Sequence, residues 1–235
     1  LQMKDRFSIT TYSVQSILGL IDHGDIAIPE IQRPFVWDST KVRDLMDSLY
    51  HGYPTGYLIT WKNPDVKVKG GGTAEGKTVL IDGQQRVTAM MAALAGLPVL
   101  NDDYESKRIK IAFNPLYDGD DTPFAVLTPV IDKDPAWISD ISVLFSPSFS
   151  SYKFITKYIA ANEGCDPDKV SSRIEDLKAI AARQLGCIVV DADCSIDEVT
   201  DIFIRINSKG AVLSQADFAM SKIAADEEHG GNMLR

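Results

Sequence analysis

The sequence predicts a mixed α/β (α+β) fold: a sheet-containing core over residues 1–150 and a helical extension over 151–235 that completes the same domain. Three observations predict it. Apolar runs of strand length alternate with helix-period stripes through the first half. At Val79–Leu94 the period switches from 2 to 3.6 within a few residues, as at a strand-to-helix turn. From Tyr152 onward helical spacing dominates, opened by Asp166-Pro167, a cap followed by proline in the first turn.

Taken in order, Ser13–Ile21 has the spacing of a short helix, with Val14, Ile17, Leu18 and Ile21 on one face. Ile26–Ile31 reads as a strand, and Pro29 within it calls for an edge position. In the following loop, Phe35 and Trp37 are the aromatics that would pin it to the core. Val42, Leu45, Met46, Leu49 and Tyr50 define the clearest helix, capped by Asp38 or Ser39 and stopped at Gly52 and Pro54. Tyr57–Trp61 reads as a strand, and Gly70-Gly71-Gly72 as a hairpin tip rather than a phosphate loop, since no helix follows directly. Val79–Ile81 is a short buried strand. After it, Val87, Met90, Met91 and Leu94 form a core-facing stripe ended by Gly96 and Pro98.

Ile109, Ile111 and Phe113 alternate as in a half-buried strand that pairs with Phe124–Val130. The chain is loop-rich through Pro147. Val170, Ile174, Leu177 and Ala181 carry the next helix to Gly186, and Cys187–Val190 is a β-rich run. Ser195-Ile196-Asp197-Glu198 is a capping box that opens a helix with Val199, Ile202, Phe203 and Ile206 inward. Ser214 caps a last helix with Ala216, Ala219, Met220 and Ile223 on its inner face.

Composition narrows the class of function. At 235 residues and 45% hydrophobic, the chain can bury a real core. No run is long or apolar enough to span a membrane and no signal pattern opens the sequence, so a cytoplasmic protein is expected. Cys165, Cys187 and Cys194 lack metal-ligand spacing and read as reduced thiols. A formal charge of −9 gives no global attraction to DNA, so DNA contact needs a local basic face, for which Arg33, Lys41, Arg43 and Lys209 are the candidates.

The chemistry concentrates at Asp82-Gly83-Gln84-Gln85-Arg86. Asp82 falls near the helix N-cap and Gly83 to Gln85 in the first turn, where free backbone N–H groups and the helix dipole favour an anion. Arg86 adds a planar guanidinium suited to phosphate. Neither GxxxxGK[ST] nor GxGxxG is present. On spacing alone the same residues serve equally as a cap and a solvated flank.

Three segments together resemble one family. Ile28-Pro29-Glu30-Ile31-Gln32-Arg33-Pro34-Phe35-Val36-Trp37 is similar to its opening motif, Asp82-Gly83-Gln84-Gln85-Arg86 to its central one, and Phe203-Ile204-Arg205-Ile206-Asn207 with Gly210 and Leu213-Ser214 to its closing one. The family is the N-terminal domain of GmrSD-type, modification-dependent restriction proteins, and the likeness runs from about Ser13 to Ile223. The resemblance implies a ParB/sulfiredoxin-like core with a nucleotide pocket at the central motif. It also implies hydrolysis of a nucleoside triphosphate (ATP, GTP or CTP) coupled to DNA sensing in phage defence, and the chemistry of phosphoryl transfer adds Mg²⁺ to that expectation. Carried over by residue, Gln32, Arg33, Gly83, Arg86, Arg205 and Asn207 would bind nucleotide. Asp82, Gln84, Gln85 and Arg86 would act in catalysis, with Asp82 on the metal, which needs only one or two carboxylates.

Cutting of DNA belongs in such proteins to a separate HNH-type nuclease domain or subunit. His23, His51 and His229 form no such cluster, so no nuclease activity is expected of this chain, and oligomerisation is left open. Two other classes are compatible with the sequence: a DNA-binding or nuclease ParB-like module, and a catalytically silent scaffold in which the central motif is only a turn.

Overall fold

A computed structural model describes residues 5–28, 34–62, 67–68, 72–73, 78–101, 103 and 105–206. Its centre is a five-stranded mixed sheet of strands β1 (Phe7–Ser13), β2 (Ile26–Ala27), β3 (Leu58–Lys62), β6 (Thr78–Asp82) and β11 (Gln184–Val190), in the order β1-β11-β3-β6-β2. Strand β11 runs antiparallel to β1 and parallel to β3, β3 is antiparallel to β6, and β6 is parallel to β2. Separate two-stranded pairs are β4 (Lys67–Val68) with β5 (Gly72–Thr73), β7 (Val99–Leu100) with β8 (Ser106–Lys107), and β9 (Ile111–Phe113) with β10 (Phe124–Val126). The helices are α1 (Val14–Asp22), α2 (Ser39–His51), α3 (Gln84–Leu94), α4 (Ser151–Ala161), α5 (Pro167–Lys178) and α6 (Ile196–Ile206).

Strand alternation explains the layering. Leu58 and Leu80, with Leu185, Cys187 and Val189, face a large core closed by Val14 and Ile17 of α1, Val42 and Met46 of α2, Val87 and Met90 of α3, and Ile174 and Leu177 of α5. The alternate residues Ile59, Trp61 and Val190 face a smaller cluster closed by Val199 and Phe203 of α6. A sheet covered on both faces explains why β3 reads Leu-Ile-Thr-Trp with no polar alternation. Its one buried polar side chain, Thr60, meets the Cys187 thiol at 3.5 Å. Burial raises the Cys187 pKa, with Thr60 pulling the other way. All three cysteines are free thiols.

Most expected elements form where the periodicity places them, with Ser13 capping α1, Asp38 capping α2 and Asp166 capping α5. Three departures have physical causes. Strand β1 carries no clean burial alternation because it lies at the edge, with Phe7 and Ile9 exposed, and it was not expected. Helix α5 stops at Lys178 rather than running to Gly186; a 3₁₀ turn covers Ala179–Ala182, and the chain is then drawn into β11, which pairs along its whole length with β1. In β9 every residue is buried instead of every second one, since α2 and the 3₁₀ turn Ile141–Phe145 both pack against it. Strand β10 ends at Val126, four residues before Val130. The expected strand Ile26–Ile31 is helped by β6 only over Ile26–Ala27, at the sheet edge; residues 29–33 lie outside the described part, as does the helix expected after Ser214.

Candidate functional site

Strand β6 delivers the central motif to the end of the sheet. Its register with β3 shifts between Ile59 and Thr60: Ile59 faces Asp82 and Thr60 faces Leu80, so Ile81 has no counterpart. Such a bulge bends the strand and re-aims its last residue. Asp82 does not cap α3. The N-cap is Gly83, at φ 96° in the left-handed region, and it makes no side-chain cap bond. A Cβ on Gly83 would collide with Leu58 and crowd the Arg86 guanidinium, so both the conformation and the space there require glycine.

The first helical bond of α3 runs from Val87 N–H to the Gly83 carbonyl at 2.9 Å. The N–H groups of Gln84, Gln85 and Arg86 precede it, and among the described residues they have no acceptor. The first turn also holds no acidic residue. A helix end of this kind presents N–H groups and a positive dipole to whatever approaches it.

The motif side chains diverge. Arg86 reaches back to the loop between α2 and β3. Its Nη1 donates to the Thr55 carbonyl at 2.8 Å, and its Nη2 donates to the Tyr57 carbonyl at 2.7 Å and to Asp82 Oδ2 at 3.2 Å. Gly56 sits between those carbonyls at φ 86°, where a Cβ would strike Nη1. The guanidinium therefore lies in a cradle floored by two left-handed glycines. Burial lowers its pKa below the usual arginine value, and the Asp82 carboxylate pushes it back up. Its side chain is 18% exposed against 28% for Asp82, so both are reachable from solvent.

Gln85 turns the other way. Its Oε1 accepts from the Val36 N–H at 3.1 Å and its Nε2 donates to the Pro34 carbonyl at 3.4 Å, clamping the segment that precedes α2. Phe35 in that segment is buried and Trp37 packs against the core, so both aromatics pin the loop as their sequence context indicates. Gln84 makes one weaker contact, Nε2 to the Leu80 carbonyl at 3.4 Å, and its Oε1 has no partner among the described residues.

Asp82, Gly83, Gln84, Gln85 and Arg86 are thus brought together at one helix end. Arg205 lies in the last turn of α6, which packs on the other face of the sheet from α3. Gln32, Arg33 and Asn207 lie outside the described residues. Of the basic candidates, Arg43 pairs with Asp44 at 2.6 Å, Lys41 stands in the first turn of α2, and Arg33 and Lys209 are outside the described part. Among the described residues no group of three or more His, Cys, Asp or Glu gathers to hold a metal, and no helix is long and apolar enough to cross a membrane.

Two features escaped the sequence reading. The Thr55-Gly56-Tyr57 loop reads as a plain helix stop, yet it is what orders Arg86; the only signal was a second glycine four residues after Gly52. The other is a cavity of about 290 Å³ alongside α3, lined by Ile28, Phe35, Gln84, Thr88, Met91 and Leu97 among others. Its walls come from three separate parts of the chain, which no local pattern announces.

Against this geometry, residues 14–224 match the family described as GmrSD restriction endonuclease, N-terminal domain. No curated protein matches the sequence.

Proposed function

Because this chain belongs to the GmrSD restriction endonuclease N-terminal domain family, we propose that it is the nucleotide-responsive part of a phage-defence restriction protein, binding and hydrolysing a nucleoside triphosphate at the first turn of α3. The observation that carries this reading is the set of N–H groups at Gln84, Gln85 and Arg86 that have no acceptor among the described residues, with the Arg86 guanidinium fixed beside them. Phosphoryl transfer needs little covalent help from a protein, and fixed donors around the phosphates supply most of the stabilisation.

In this reading the α3 amides hold phosphate oxygens, and Arg86 contributes charge from the Thr55–Tyr57 cradle. Asp82 offers one carboxylate, partly exposed and next to that anion site, with its Oδ2 held by Arg86. A single carboxylate suits Mg²⁺, which keeps most of its waters and takes its other ligands from phosphate. Bound there, Mg²⁺ would neutralise charge developing on the phosphates. Gln84 is better placed than Gln85 to orient the attacking water, since both ends of the Gln85 carboxamide already hold the Pro34–Val36 backbone. Water adds to the terminal phosphorus, the bridging P–O bond breaks, and nucleoside diphosphate and inorganic phosphate leave. DNA contact and cutting we assign to a nuclease domain or subunit; the −9 charge and the Arg43–Asp44 pair support that division.

The direct test is a thermal-shift panel of ATP, GTP, CTP and UTP with Mg²⁺, since a ligand of the folded state alone raises its melting temperature. At least one is expected to do so. One observation favours a second reading: Gln85 and Arg86 both serve as internal clamps, as a silent scaffold would use them. If no nucleotide shifts the melting temperature, that scaffold reading replaces the first.

A further inference from the structure

We propose that the cavity beside α3 receives the base of the nucleotide, and that it accepts a neutral heteroaromatic ring with little preference among bases. This rests on the reading that the phosphates bind at the α3 first turn. Gln84 and Gln85 belong to both places: they are the first two residues of the helix and they line the cavity. A ligand spanning the two must carry an anionic group at one end and an uncharged, largely apolar group at the other. A nucleotide has that division; inorganic phosphate or a simple polyphosphate does not.

The lining supports a ring rather than a sugar or a charged group. Among the described residues that form it there is no Asp, Glu, Lys, Arg or His. Phe35, Met91, Leu97 and Leu100 supply apolar and polarisable wall, with Leu97 and Leu100 also 42% and 49% exposed, an arrangement that leaves apolar surface in water until something covers it. Polar groups are few and local: Thr88 stands one turn after Gln84, and neither the Thr88 hydroxyl nor Gln84 Oε1 has a partner among the described residues. At about 290 Å³ the cavity lies near the small end of ligand pockets, enough for a ring system and not for a whole nucleotide. A hydroxyl acts as donor or acceptor, so Thr88 can meet the polar edge of any base. Shallow discrimination between bases follows from that chemistry.

The experiment compares calorimetric titrations of ATP, GTP, CTP, UTP and inorganic triphosphate, each with Mg²⁺, on the parent chain, on Thr88→Phe, which fills the cavity, and on Leu97→Ser, which strips an exposed part of its wall. Circular dichroism establishes that each variant is folded. On the parent, the nucleotides are expected to bind within about tenfold of one another and at least about tenfold tighter than triphosphate. Both variants should lose that advantage over triphosphate while binding triphosphate as the parent does. Should Thr88→Phe fail to fold, Leu97→Ser at its exposed position carries the comparison alone. Equal binding of nucleotides and triphosphate by the parent, or an advantage undiminished in the folded variants, overturns the base cavity and leaves the phosphate site standing. A preference for one base well above tenfold overturns the shallow selectivity. Binding of neither nucleotide nor triphosphate overturns the cavity proposal together with the reading beneath it.

Discussion

Arg86 holds the Thr55–Tyr57 loop and, in the proposed function, also faces phosphate; one substitution separates those roles only if stability and binding are measured together. Arg86→Ala leaves the Thr55 and Tyr57 carbonyls without their charged donor, and loss of hydrogen bonds to a charged group amounts to roughly 1.5–3 kcal/mol. Denaturant unfolding should show a loss of that size, and nucleotide affinity should fall by about one to two decades. Asp82→Asn is the contrast. Its amide oxygen can still accept from Arg86, and since Asp82 does not cap α3, the helix start loses nothing. Folding and binding should therefore persist while phosphate release falls much further. Normal hydrolysis by folded Asp82→Asn would remove Asp82 from the mechanism.

Helix ends are where local sequence and local energetics can be checked one against the other. Gly83→Ala must place a Cβ against Leu58 at a φ that L-residues rarely adopt, so it should destabilise by about 1–3 kcal/mol in chemical denaturation, against a few tenths for an ordinary surface substitution. At the start of α6 the capping box is reciprocal: Ser195 N–H donates to Glu198 Oε2 at 2.8 Å, and Glu198 N–H donates to Ser195 Oγ at 3.3 Å. The backbone bond from Ser195, with Arg6 assisting, lowers the Glu198 pKa despite partial desolvation. A carboxyl with a depressed folded pKa contributes stability that is complete above its unfolded value and is lost as pH falls through the folded one. Amide exchange at the start of α6 should therefore accelerate selectively on acidification below the ordinary glutamate range. In Glu198→Gln, which can keep both cap bonds, that pH dependence should vanish; its persistence would place the titrating group elsewhere.

At the scale of the molecule, the latest strand among the described residues lies between β1 and β3. Strand β11 pairs with β1 over Phe7–Ser13 and with β3 over Leu58–Trp61, and it supplies Leu185, Cys187 and Val189 to the large core and Val190 to the small one. Residues 1–150 alone would lose that strand and α5, leaving β1 without its partner and the core face open. Such a truncation is expected to lack a cooperative thermal transition and to bind hydrophobic dye; a sharp melt would show that the first half is a self-sufficient unit.

The elements legible in the sequence are those whose signals are local. Helix α2, with Asp38 before it and Gly52 after it, follows from a side-chain period and two backbone preferences. The capping box of α6 and the strand-to-helix switch at Asp82-Gly83 are of the same kind. The motif residues were legible as a group because they are consecutive, but not what each side chain holds. Gln85 meets residues 34 and 36, and Arg86 meets 55 and 57, from the far side of a turn that no periodicity encodes. Strand β1 and the early end of α5 are hidden for a related reason: Gln184–Gly186 favour neither state strongly, and pairing with Ser13 to Thr11 settles them as strand. By itself, the sequence determined the bounds of α2, the caps that open α5 and α6, the mixed class and the strand-to-helix turn at Asp82-Gly83, because caps, glycines and hydrophobic spacing act within a few residues. Only the tertiary structure decided the strand order, the arginine cradle and the cavity beside α3, because each is made by segments far apart in the chain that meet only when the core closes.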